Sequence, residues 1–119
     1  MNFFNDFHKS NYCQLAKKVN LHTGDYERKA LFYIISGNDD LFKKRYLIYD
    51  FYNNCINSDV LDHESTDFCS SSKALIRLGF NLYNGFKDAY TNPLNILGSL
   101  DSKNYNIADF AIKIRFNRL

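Results

Sequence analysis

The chain lacks tryptophan altogether and has a single proline, Pro93, among its 119 residues. Its three cysteines (Cys13, Cys55, Cys69) are an odd number set far apart with no CxxC pair, which excludes a disulfide framework and the familiar zinc modules. Glycine is also scarce. The five glycines stand alone, so there is no GxGxxG and no GxxxxGK[ST] loop to cradle a phosphate. HExxH, GxSxG and calcium-loop patterns are missing as well. No apolar run approaches the ~18 residues of a membrane span, since Leu31 to Ile35 is only five. The start, MNFFNDFHK, lacks the basic and apolar regions of a signal peptide. These absences predict a cytoplasmic chain with reduced thiols, no membrane contact, no metal, no cofactor and no enzymatic activity.

What is present is apolar and aromatic. The apolar fraction is 45%, charged residues are 24%, and nine Tyr and eleven Phe supply rings that bury much area per residue. That suffices for one folded domain over residues 1–119. Fifteen Asn and few Ala point to an AT-rich coding sequence. Net charge is only +2, but it is unevenly spread. Four acids (Asp59, Asp62, Glu64, Asp67) lie in one stretch without Lys or Arg, an asymmetry that can orient a charged partner.

Periodicity predicts an all-α fold, a compact single-domain bundle of five to six helices. Phe7, Tyr12, Leu15, Ala16 and Val19 recur at helical spacing over about Asp6 to Val19. After the break at 22–25, with Thr23 or Asp25 as cap, Tyr26 to Ser36 is apolar nearly all round and should be buried. Gly37 suits a left-handed helix end and Asn38 a cap for the next helix. That third helix is expected to run to about Asn53, with Leu41, Phe42, Tyr46, Ile48, Tyr49 and Tyr52 on one face. A polar connection follows from Cys55 to Phe68, and Ser70-Ser71-Ser72 supplies a cap. The helix of about 71–84 is expected at the centre of the fold, with a narrow polar stripe of Arg77, Asn81 and Asn84. Asn84-Gly85 ends it. Asn92-Pro93 starts a short helix to about Leu97, and Asp101 caps the last one, 102–116.

Candidate binding residues fall into three sets. Lys43, Lys44 and Arg45, beside Tyr46 and Tyr49, form a basic and aromatic run. Lys113 and Arg115 add basic charge on the last helix, and together these suit phosphates or an acidic protein surface. Arg77, Asn81 and Asn84 read either as a structural stripe, with Arg77 paired to Asp39, Asp40 or Asp50, or as the polar element of a contact patch. His8 and His22 lack matching partners. The one titratable cluster, Asp59, Asp62, His63, Glu64, Asp67 and Cys69, offers metal or thiol chemistry, but acidic neighbours should raise the Cys69 thiol.

At ERKALFYIISGNDDLF (27–42), IYDF (48–51), ALIRLGFNLYNGF (74–86) and AIKIRF (111–116) the chain resembles a family of small proteins of Gram-positive bacteria and their phages and mobile elements. The resemblance brings no assigned activity and no catalytic residues. The expectation is therefore a non-catalytic protein-binding module, an inhibitor or modulator of host machinery in the manner of anti-CRISPR or other anti-defence proteins. A homodimer fits the wide apolar faces. The alternatives are a nucleic-acid binder using the basic residues and a metal- or thiol-dependent small enzyme at His63 and Cys69.

Overall fold

A helix that is apolar nearly all round beyond its charged first turn has to be surrounded, and that requirement organises the fold. In the computed structural model, which describes residues 1–62 and 66–119, α2 (Tyr26–Gly37) is buried without interruption from Ala30 to Gly37. Around it pack α1 (Asp6–Val19), α5 (Ser70–Asn84) and α7 (Ser102–Arg115). The expected centre, α5, is a flank of this arrangement. It keeps Asn81 and Asn84 towards the surface, whereas α2 is buried on every side from Ala30 to Gly37. Fully buried Phe32, Tyr33, Ile34 and Ile35 each contribute roughly 1.5–3 kcal/mol of apolar burial. The molecule measures 32 × 29 × 25 Å around one continuous core.

Capping residues set the helix boundaries. Asn5, Asp25, Asn38, Asn92 and Asp101 each accept a backbone N–H three residues on, and so start α1, α2, α3 (Asp39–Lys43), α6 (Pro93–Leu97) and α7. Gly85, at φ 79°, ends α5 in the left-handed region as its sequence predicts. Gly37 does not play that part. It is helical and buried, and a Cβ there would stand 3.1 Å from His8 Nε2 and 3.2 Å from Ile107 Cδ1, so its role is close packing. Phe7, placed on the buried face by the periodicity, is exposed, and His8 turns inward in its place. α7 likewise buries only Asn104, Ile107, Ala108, Ala111 and Ile114, leaving Tyr105 and Phe116 exposed.

The third predicted helix is the main departure. It stops at Lys43, resumes as α4 (Arg45–Ile48), and then becomes an antiparallel hairpin of β1 (Tyr49–Asp50) and β2 (Cys55–Ile56). Two local devices explain the change. Asp50 Oδ1 accepts the N–H groups of Tyr52 and Asn53 at 2.9 and 3.0 Å, and Asn54 adopts a left-handed φ of 55° that Asn tolerates. Together they close a four-residue turn where a helix would have continued. A short 3-10 turn, Ser58–Leu61, follows and tucks Val60 and Leu61 into the core. Among the described residues the fold is thus seven α-helices and one small hairpin, all-α in class.

Candidate functional site

The hairpin places next to one another side chains that are distant along the chain. Tyr46 and Leu47 from α4, Phe51 and Tyr52 from the turn, Ile56 from β2 and Lys18 from the end of α1 line an open groove of about 760 Å³. Its apolar residues are not hidden: Tyr46 is 55% exposed, Leu47 53% and Tyr52 93%. Beneath them Tyr49 and Phe32 pack edge-to-face, with ring centroids 5.3 Å apart, and Phe51 stands edge-on to Tyr49 at 5.0 Å. The groove therefore has an aromatic floor, with two tyrosine rings and a leucine exposed above it.

Two cations and one carboxylate set its electrostatics. Lys18 Nζ lies 4.8 Å from the centre of the Tyr46 ring and 5.7 Å from that of Phe51. The Arg45 guanidinium lies over Phe42 and Tyr46 at 4.2 and 4.7 Å and donates to Phe42 O at 2.9 Å. Hydrogen bonding from Lys18, reinforced by Arg45, pulls the Tyr46 phenol below its ordinary pKa. Asp50, the acid in the lining, has both carboxylate oxygens occupied by Tyr52 and Asn53, whose bonds hold it below the usual carboxylate range.

Of the residues the sequence singled out, Tyr46 lines this groove and Arg45 stands beside it, against the Tyr46 ring. Tyr49 does not offer a contact surface, because it is fully buried. Burial, helped by a neighbouring Tyr83 hydroxyl at 3.4 Å, drives its phenol far above the ordinary value. Lys44 is tied down by an ion pair with Asp40 at 2.8 Å and by the Asp67 carbonyl. Lys43 stands exposed on α3. On α7, Lys113 pairs with Asp109 at 3.2 Å, and Arg115 donates to Leu82 O at 2.6 Å while facing Glu27 at 3.8 Å. The sequence reading missed Lys18, Leu47 and Tyr52 as site residues; the Asp50-to-Asn54 turn chemistry was the signal that could have placed Leu47 and Tyr52 together, and nothing in the sequence pointed to Lys18.

Arg77, Asn81 and Asn84 form a structural stripe. Arg77 is buried and pairs with Asp88 at 3.0 Å, not with Asp39, Asp40 or Asp50 as expected. Burial acts to raise the Asp88 carboxyl, but bonds from Thr91, the Tyr90 N–H and Arg77 outweigh it and keep the group below the usual range. Asn81 donates to Phe86 O and Asn84 accepts the Phe86 N–H, each at 3.0 Å. The stripe thus fastens the loop after α5. Beside it a narrower slot of about 190 Å³ runs between Leu78, Asn81, Pro93, Ile96, Leu97 and Ile112.

The proposed metal or thiol cluster is only partly visible, because His63 and Glu64 lie outside the described residues. Among the described residues no three His, Cys, Asp or Glu side chains are grouped to hold a metal ion. Cys69 is the N-cap of α5, and its thiol is lowered, not raised: the Ser72 hydroxyl, 3.2 Å away, and the Ser72 N–H outweigh burial and the smaller opposing charge of Asp40. Among the same residues no helix is long and apolar enough to cross a membrane.

No curated protein and no solved structure matches the chain. A family model does, and over the full length. Residues 1–119 match the family of unknown function DUF6075, and the chain belongs to that family.

Proposed function

We propose that the chain is a non-catalytic protein-binding module and that the hairpin groove is its contact face. One observation carries the reading. Tyr46, Leu47 and Tyr52 stand about half or more exposed around one groove, although a small chain with a complete core has no folding reason to leave them out. Tyrosine suits such a surface, since it brings large area at low entropic cost and keeps a polar tip. Nucleic-acid binding has less support. Lys44, Lys113 and Arg115 are each engaged by acidic side chains or carbonyls, so the basic residues do not form one open phosphate track. The reading extends to a cytoplasmic modulator of host machinery encoded by a phage or mobile element, the setting suggested by the stretches at 27–42 and 74–86.

The test is a pull-down with tagged protein from host lysate, after nuclease treatment, repeated with a Leu47→Ser, Tyr52→Ala double variant. A stoichiometric protein partner held by the parent and lost by the variant is the expected result. Equal capture by both would move the contact face elsewhere, and recovery of nucleic acid alone would overturn the reading.

A further inference from the structure

The groove's charge identifies the chemistry of what it takes. Among the described residues neither Lys18 nor Arg45 has a carboxylate partner. Both are held against the same tyrosine ring, on which they converge from two different elements. Lys18 has no local duty that would explain this. The carbonyls at the end of α1 are already met by the Asn20 N–H, which reaches Ala16 O and Lys17 O. Arg45 uses one of its five N–H groups on Phe42 O and keeps the others. Asp50, the one acid in the lining among the described residues, keeps its charge but has its oxygens turned into the hairpin turn and occupied there. The result is an ammonium and a guanidinium about one phenol ring, with Leu47, Phe51 and Tyr52 alongside.

We infer that the groove binds an acidic peptide segment of a partner protein, with an Asp or Glu carboxylate received by Lys18, Arg45 and Tyr46 and a neighbouring aromatic or aliphatic side chain laid against Leu47 and Tyr52. The inference rests on the protein-binding reading and narrows it to one partner chemistry. A carboxylate suits the cations, because both stand against one tyrosine ring instead of being spaced along a backbone. Both cations already rest against the Tyr46 ring before the ligand arrives, so less side-chain freedom is lost on binding.

The experiment uses an array of ten-residue peptides in which one Phe or Leu is flanked by acidic, basic or uncharged residues, with a single-stranded oligonucleotide as a further probe. The parent chain should retain the acidic set, and retention should fall several-fold as salt is raised. Lys18→Glu should weaken it roughly tenfold or more, which is the loss of one well-placed charge contact. Lys18→Arg should restore it, and Tyr52→Ala should weaken every peptide. Circular dichroism of each variant checks that the helices are intact. Retention of acidic, basic and uncharged sets alike, lost with Tyr52→Ala and indifferent to Lys18→Glu, would overturn the acidic partner while leaving the protein-binding reading standing. Binding of the oligonucleotide alone, or of no peptide, would overturn the inference, and the first of these would overturn that reading with it.

Discussion

Two regions of the molecule reverse the ordinary partition of residues, in opposite senses. Where the N-termini of α3, α5 and α7 meet, polar side chains are inside. Asn38 Nδ2 donates to Ser72 Oγ and Asn104 Oδ1, both at 3.1 Å, its Oδ1 accepts the Leu41 N–H, and Asn104 Nδ2 donates to Ser71 Oγ at 2.9 Å. At the hairpin, aromatic side chains are outside. The difference lies in how completely each set is accounted for by folding. Among the described residues no buried side-chain nitrogen or oxygen is left without a partner, so the junction is explained by the structure it holds together. The Tyr52 side chain, 93% exposed, is not accounted for in that way, and the proposed contact face is what would account for it.

The sharpest way to break this contrast is to remove Asn38. Its side chain caps α3 and links α5 to α7, so Asn38→Ala loses a cap and leaves Ser72 and Asn104 short of a partner. The expected cost is about 3 kcal/mol, the sum of a lost cap and a buried unsatisfied group, read from the shift in urea midpoint. A cost under about 1 kcal/mol would show that water or neighbouring groups replace the amide, and the junction would then be no more specific than a surface.

His8 is a second inward polar group, and it tests the same idea through pH. Its Nδ1 accepts the Phe4 N–H at 3.2 Å, which places the ring proton on Nε2, donating to Tyr33 O at 3.1 Å. Both nitrogens are satisfied only when the ring is neutral, and a proton on Nδ1 would face the Phe4 N–H. Burial is the main force lowering its pKa below the ordinary 6.5; the Tyr33 bond opposes it and the charge of Lys103 on α7 adds to it. The unfolded chain therefore binds the proton more readily than the native one, and stability rises with pH across this window. The stabilisation is complete above 6.5 and is lost as pH falls below it towards the native pKa. Urea midpoints between pH 5 and 7.5 should show that slope in the parent chain. His8→Gln should lack it, and an identical slope in both would assign it to other groups.

The parts of the fold that were legible in the sequence are those where one residue decides locally. Asn38, Asn92-Pro93 and Asp101 start helices, Gly85 ends one, and the span Asp6–Val19 follows from its own periodicity. The illegible parts depend on what lies across the chain. Tyr46 to Tyr52 is rich in aromatic and branched residues that serve a helix or a strand equally well, and the turn at Asp50 and Asn54 decided between them. Arg77 could be seen to need a carboxylate, but Asp88 lies across a loop whose path only the fold defines. Tyr46 and Arg45 were visible as candidates. Lys18 comes from another helix, and no spacing rule connects it to them.

The smallest expected effect on stability is the most informative about function. Tyr52 is 93% exposed, and only its backbone N–H takes part in the turn, through Asp50. Replacing its side chain with Ala removes no buried area and no hydrogen bond, so the urea midpoint should stay within about 0.5 kcal/mol of the parent's. Tyr46→Ala is the companion measurement. It removes a ring that packs edge-on to Phe51 at 5.7 Å and carries two cations, so some stability should go with it. A Tyr52→Ala chain that is as stable as its parent yet loses its partner would separate the surface's function from its fold. A Tyr52→Ala chain that is less stable by 1 kcal/mol or more would return the ring to the core and remove the contrast between the two regions.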